Sequence, residues 1–152
     1  MRTALRAGAM AALVLTLPAH RAAAGPSDYV ITPIVEEGER EIDLKAGRSR
    51  YRDAARESAW SIGLGWGATS RWFTELYAKW HTEPGEPQRF DAWEWENKFQ
   101  LTETGRYALD VGLLVEIERP KDRSEGYELR WGPLLQADVT PEVQANLNLL
   151  IE

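Results

Sequence analysis

The sequence predicts an all-β fold in which antiparallel strands follow one another along the chain. From Ala59 onward, segments of about ten residues that alternate between apolar and polar residues are separated by turns. In residues 107–118 the odd-numbered positions are all apolar, and the even-numbered positions include Asp110, Glu116 and Glu118. Successive side chains of a strand point to opposite faces, so each segment has one apolar and one polar face. Strands of this length favour an antiparallel up-and-down transmembrane β-barrel of about 8 strands, or an incomplete N-terminal part of a larger barrel.

Residues 1–24 have the features of a secretory signal peptide. Arg2 and Arg6 precede an apolar stretch at 7–19 that is too short to span a membrane as a helix, and residues 22–24 provide a cleavage site. Three of the 18 basic residues lie in this segment, so 15 remain against 24 acidic residues. The resulting net charge of about −9 argues against nucleic acid as a partner. The absence of cysteine excludes disulfides, thiol chemistry and a lipoprotein anchor.

The turns divide the remaining chain into a leader and one domain of strands. Residues 25–39 are predicted to be a leader or short edge segment, because Pro33 interrupts the apolar run 29–35 and favours an edge or plug-like segment. An alternative is that this run supplies an eighth strand. The β-barrel strands occupy residues 40–152. Seven of them are predicted at residues 40–50, 58–67, 71–81, 89–101, 106–118, 127–136 and 143–151.

The predicted connections alternate in length. Those after the second, fourth and sixth strands are short, whereas those after the third and fifth strands are longer and charged. Outer-membrane barrels have short periplasmic turns and longer external loops, so this alternation favours such a barrel. The chain ends at Glu152 without the closing aromatic residue typical of these barrels, and the number of strands is odd. The sequence therefore leaves open that further strands are missing.

The polar faces of the predicted strands are expected to line the lumen. A slip of one residue would exchange the two faces, and a Lys or Arg moved to the lipid side costs about 2–4 kcal/mol at the midplane, so the register is strongly specified. The lumen-lining candidates are Glu75, Lys79, Glu94, Glu96, Lys98, Asp110, Glu116, Glu118, Glu128 and Arg130. Asn97 and Pro133 do not fit the pattern, since Asn97 falls on the apolar face and Pro133 removes a hydrogen-bond donor from a strand.

Aromatic residues near the strand ends are expected to form two interfacial belts. Amphipathic rings prefer the level of the lipid headgroups, which matches this placement. The belt residues are Trp66, Trp72 and Tyr107 at one rim, and Trp60, Trp80, Trp93 and Tyr127 at the other. A soluble barrel with its apolar face inside has the same alternation, and it remains the alternative.

The carboxylate pairs of the polar face offer limited chemistry. Glu94 with Glu96, and Glu116 with Glu118, lie two residues apart and can bind cations or transfer protons. The nearby bases favour a structural ion network instead. No catalytic, cofactor or metal site is predicted. A zinc site in particular is disfavoured, because the chain after residue 24 has one histidine and no cysteine.

His81 is the one residue that suggests an enzyme. It falls near an external rim, the level at which outer-membrane lipid-modifying enzymes hold a catalytic His and Ser, and Ser58 and Ser61 are the nearest serines in the predicted register. An interfacial or loop histidine is the simpler interpretation, so the sequence predicts a protein that is not an enzyme.

Two stretches carry a resemblance to a known group. Residues 72–77 (WFTELY) and 90–103 (FDAWEWENKFQLTE) resemble uncharacterised proteobacterial exported outer-membrane β-barrel proteins of porin-like type, and residues 116–120 and 132–136 extend the similarity. The resemblance implies an outer-membrane barrel and supplies no substrate and no functional residues.

The sequence thus predicts an outer-membrane β-barrel that contacts membrane lipid and has a passive channel or structural role. Small polar solutes or cations are the possible cargo. Two alternatives remain open, namely a soluble periplasmic β-barrel that binds an apolar ligand and an outer-membrane lipid-modifying enzyme. The solute and the oligomeric state are not determined by the sequence.

Overall fold

The computed structural model describes residues 30–50 and 56–152, so the predicted signal peptide and the start of the predicted leader lie outside the described residues.

A short 3-10 helix, Arg123–Glu125, precedes the sixth strand, and Asp122 caps it. Hydrogen bonds from the side chain and backbone N–H of Ser124 lower the pKa of Asp122. None of the helices in the described ranges is long and apolar enough to cross a membrane. The strands are β1 Arg40–Arg50, β2 Arg56–Thr69, β3 Trp72–Thr82, β4 Arg89–Gln100, β5 Asp110–Pro120, β6 Glu128–Thr140 and β7 Val143–Asn148.

The seven strands form one antiparallel up-and-down sheet in the order of the chain. The sheet curls into a half-barrel, and in the described part of the chain β1 and β7 do not pair with each other. The predicted all-β antiparallel fold is confirmed, with seven strands in a sheet that is open between its first and last strands. The bounds of β1 coincide with the prediction, because its alternation is regular and a turn at Gly38 precedes it.

Alternation gives the sheet two chemically different faces. The inner face, toward which the sheet curls, carries side chains such as Glu96 and Glu116, and these are buried. The outer face carries tryptophans and leucines that stay exposed, as in the cross-strand row Leu64, Leu76 and Trp95. The sheet therefore buries its ionisable face and exposes its apolar one, the reverse of a soluble protein core.

Residues 30–36 are not a strand, so the eighth strand considered from the sequence is not formed there. The segment instead crosses the inner face, where Ile31 packs against Leu114 and Leu134. It is held by side chains of the sheet, and it enters β1 through a turn at Gly38, which has a φ of 79°.

The fifth strand begins later than predicted. Asp110 accepts hydrogen bonds from the Gly105 N–H at 2.9 and 3.2 Å, and the Thr102 hydroxyl accepts one from the Val111 N–H at 2.9 Å. These bonds close residues 101–109 into a loop, so the predicted start at residue 106 is wrong. The predicted alternation of loop lengths is also wrong here, since this connection is longer than those at 83–88 and 121–127.

The two residues that did not fit the alternation have local explanations. Asn97 is buried on the outer face, where its Oδ1 accepts hydrogen bonds from Trp72 Nε1 at 3.0 Å and from the Thr74 hydroxyl at 3.1 Å. Trp95 Nε1 in turn donates to the Thr74 hydroxyl at 2.8 Å. The amide oxygen therefore accepts hydrogen bonds from an indole and a hydroxyl on an otherwise apolar surface.

Pro133 lies where the pairing of β6 with the end of the chain becomes irregular. Its carbonyl accepts a hydrogen bond from the Leu149 N–H at 3.1 Å, but its ring nitrogen has no hydrogen to return. The Leu149 carbonyl is displaced toward the inner face, where it lies 1.9 Å from the position a Cβ of Gly132 would occupy. Leu150 then packs against the cluster formed by Ile31, Leu114 and Leu134.

Candidate functional site on the inner face

A row of carboxylates crosses three neighbouring strands on the inner face. Glu75 on β3 lies directly opposite Glu96 on β4, and Glu96 lies opposite Glu116 on β5. All three side chains are buried. Directly opposed residues have Cβ atoms about 5 Å apart, so this arrangement concentrates negative charge in a small volume.

Basic side chains compensate part of this charge. Lys79 Nζ contacts Glu94 Oε2 at 3.0 Å and also binds the Glu118 carboxylate. Arg130 Nε binds the Glu116 carboxylate across the β5–β6 pair. The ion network that the sequence favoured is therefore present among these residues.

Glu96 lies at the centre of this row and is 3% exposed. Lys45 is the basic residue that acts on its carboxylate, and the acids Glu75, Glu94 and Glu116 surround it. Its carboxylate oxygen and those of Glu94 and Glu116 lie within 4.8 Å of one another, which is close enough for all three to contact one cation. Carboxylate oxygens are the ligands that hard cations prefer. The arrangement can attract and hold a cation, and the sequence did not single out this triple.

A cavity of about 370 Å³ lies between the segment 30–36 and the carboxylate row. Glu75 and Glu96 reach it from the sheet, and Thr32 and Ile34 reach it from the segment. Glu36, Glu39, Glu41 and Lys98 complete its charged lining, so acids outnumber bases around it. In the described part of the chain, Glu75 Oε1 and Gln136 Oε1 are buried without a hydrogen-bond partner.

The remaining predicted lumen residues lie toward the ends of the strands. Asp110 is buried at the start of β5 and closes the preceding loop. Glu118 and Glu128 oppose each other on β5 and β6, and Glu128 is exposed. Lys98 lies above the ring of Phe73, with Nζ 5.0 Å from its centroid.

Sequence reasoning missed the apolar residues of the inner face. Phe73, Tyr77, Leu114 and Leu134 are buried on the same face as the carboxylates. Their signal was present in the sequence, because Leu114 and Leu134 occupy positions at which the alternation calls for a polar residue. An apolar residue at such a position indicates that something apolar packs there, which in this chain is Ile31.

The predicted belt residues lie on the outer face or in a loop. Trp60 and Trp80 stack at a centroid distance of 4.1 Å, and Phe90 bridges Trp80 and Trp93 at 5.5 Å from each. At the opposite strand ends, Trp72 stacks on Phe99 at 6.3 Å, and Trp66 is exposed. Tyr107 lies in the 101–109 loop, and Tyr127 accepts a hydrogen bond from Arg119.

His81 has acidic partners. Its Nδ1 lies 2.9 Å from Asp91 Oδ1, and its Nε2 lies 3.6 Å from Glu83 Oε1. Within the described residues it makes no hydrogen bond to Ser58 or Ser61, so no nucleophile–base pair is assembled there.

No family model matches the chain, and no similar protein was found among curated proteins or solved structures.

Proposed function

We propose that this chain forms part of the wall of a β-barrel in the bacterial outer membrane, with a passive channel or structural role and no catalytic activity. In this arrangement the outer face lies against lipid and the inner face borders a polar lumen. The observation that carries the proposal is the inverted burial of the sheet, since Leu64 is 64% exposed and Glu96 only 3%. A large exposed apolar face on a sheet of membrane-spanning length favours lipid contact.

The distribution of side chains along the outer face supports the same proposal. In β2 the aliphatic residues Ile62 and Leu64 lie between Trp60 and Trp66, and opposite them on β3 are Ala78 and Leu76. An aliphatic middle flanked by aromatic rings matches a hydrocarbon layer with two interfaces. A bilayer tolerates no unpaired strand edge, so the proposal requires that the backbone groups of β1 and β7 find partners in the membrane.

A pair of matched substitutions tests the lipid contact. Leu64 and Val139 are both 64% exposed, but Leu64 lies midway along β2 and Val139 is next to the β6–β7 turn. In a bilayer, Leu64→Arg is expected to lower the free energy of unfolding by about 2–4 kcal/mol and Val139→Arg by less than about 1 kcal/mol. If the outer face were in water, both changes would be nearly neutral, and urea unfolding in liposomes would show equal stabilities.

Cell fractionation separates the proposal from the soluble alternative. A lipid-embedded barrel is expected in the outer-membrane pellet and to need detergent for extraction. Recovery in the detergent-free periplasmic extract would favour a soluble barrel instead. The enzyme alternative predicts that His81→Ala alters lipid A composition in cells, and our proposal predicts no such change.

A further inference from the structure

The segment 30–36 is held on the inner face by two side-chain amides. Asn148 on β7 accepts a hydrogen bond from the Ile31 N–H at 2.9 Å and donates one to the Ile31 carbonyl at 2.8 Å. Gln100 at the end of β4 accepts one from the Val35 N–H at 2.8 Å. The two amides thus take the place of a neighbouring strand at opposite ends of the segment.

The segment also packs closely against the sheet at two glycines, Gly112 and Gly67. A Cβ on Gly112 would lie 2.8 Å from Pro33 Cβ, and a Cβ on Gly67 would lie 1.9 Å from the Glu36 carbonyl oxygen. Pro33 is fully buried, because its ring packs against the backbone at Gly112. Only glycine at both positions lets the backbone approach this closely.

Backbone hydrogen bonds anchor the C-terminal end of the segment, and a cavity borders one side of it. The Gly38 N–H donates to the Gly67 carbonyl at 2.8 Å, and the Gly67 N–H donates to the Glu39 carbonyl at 3.0 Å, which anchors the entry into β1. Between the anchors lies the cavity of about 370 Å³ that separates the segment from Glu75 and Glu96. Removing the segment would therefore open the carboxylate row without dismantling its ion pairs.

We propose that residues 30–36 are an autoinhibitory plug that docks reversibly on the inner face and obstructs the lumen, with Gly38 as the hinge. The proposal rests on the proposed barrel function. Docking depends on three hydrogen bonds to Gln100 and Asn148 together with the apolar contacts of Ile31, Pro33 and Val35. Release exposes the acidic row to solutes in the lumen.

The absence of native cysteine allows a single introduced thiol to report on docking. Val35 is 7% exposed and Val30 is 61% exposed. With the full chain in liposomes, the thiol of Val35→Cys is expected to react slowly with a small water-soluble thiol reagent and that of Val30→Cys to react fast. Adding Gln100→Ala and Asn148→Ala to Val35→Cys is expected to raise its reaction rate by about tenfold or more, because each lost hydrogen bond shifts the docked equilibrium several-fold.

Asn146→Ala is the matched control, since Asn146 lies on the same strand and its side chain bonds only Gln144 in the described residues. This change is expected to leave the reaction rate of the Val35→Cys thiol unaltered. Circular dichroism measures the strand content of each variant, and only variants that retain the sheet are compared. If the double replacement unfolds the sheet, the single Asn148→Ala change, which removes the two bonds to Ile31, replaces it.

Solute flux from the same liposomes completes the test. A plug predicts that small-solute efflux rises in the Gln100→Ala/Asn148→Ala variant together with thiol access, while the Asn146→Ala variant behaves as the parent. Unchanged thiol access, or greater access without greater efflux, would overturn the plug. Failure of parent and variants alike to associate with membranes would instead contradict the barrel function and, with it, the lumen that the plug is proposed to obstruct.

Discussion

At the scale of single residues, Asn97 shows how one polar side chain can be required on an apolar surface. Its Oδ1 accepts from Trp72 Nε1 and from the Thr74 hydroxyl, and it is itself buried. Asn97→Ala leaves the Trp72 indole without this acceptor and leaves the Thr74 hydroxyl only the longer bond to the Glu96 carbonyl at 3.5 Å, so we expect the free energy of unfolding to fall by about 1–3 kcal/mol. Urea unfolding followed by tryptophan fluorescence measures the change. Asn146→Ala is the control, and equal stability of the two variants would contradict the assignment.

Residues of the inner face differ in how far the sequence revealed them. The positions of Glu94, Glu96 and Glu116 follow from strand alternation alone, because a period of two assigns every residue to a face. Their mutual approach within 4.8 Å depends on the cross-strand register, which no local pattern specifies. Leu114 and Leu134 interrupt the alternation of their strands, but their partner Ile31 is distant in sequence, so only the folded chain shows what packs on them.

At the scale of elements, the strands were predictable where alternation and turns agreed. β1 and β4 begin at the predicted residues, Arg40 and Arg89. The alternation in 106–109 continues without a break into β5, yet Asp110 and Thr102 bind backbone N–H groups and turn these residues into a loop. Such side-chain bonds compete with strand pairing and leave the hydrophobic pattern unchanged, so periodicity did not detect them.

Lys79 connects three elements and provides a test of the ion network. Its ammonium group on β3 binds Glu94 on β4 and Glu118 on β5. Lys79→Met leaves two partly buried carboxylates without this partner, and we expect a loss of stability of about 2 kcal/mol. Lys121→Met, at an exposed position in the β5–β6 connection, is the control. Urea unfolding of both variants at neutral pH checks the difference, and a loss no larger than that of the control would contradict it.

At the scale of the whole molecule, the two faces and the segment 30–36 are parts of one arrangement. The curl of the sheet brings the carboxylates together on the inner face. On the same face, Ile31 packs against Leu114 and Leu134, and Pro33 packs against Gly112. An apolar outer face and an acidic inner face suit a lipid exterior and a hydrated interior. The same curl in water would leave the tryptophans and leucines of the outer face uncovered, at a cost that a soluble domain avoids.

The charge of the inner face leads to a prediction for transport. The residues proposed to line the lumen comprise the acids Glu75, Glu94, Glu96, Asp110, Glu116, Glu118 and Glu128 against the bases Lys79, Lys98 and Arg130. An excess of fixed negative charge raises the local concentration of cations, so we expect conducting channels to prefer cations over anions. In planar bilayers under a salt gradient, the reversal potential should have the sign of cation selectivity.

The cavity-lining carboxylates are expected to produce much of this preference. Glu75→Gln combined with Glu96→Gln removes two carboxyl groups that border the cavity, so at an alkaline pH that ionises both groups in the parent the reversal potential should move toward zero. Glu142→Gln removes one charge at the exposed β6–β7 turn. Because salt screens the charge of an exposed carboxylate, this change should leave the reversal potential nearly unchanged. Anion selectivity of the parent channel, or equal shifts in the two variants, would mean that the acidic row does not border the conduction path.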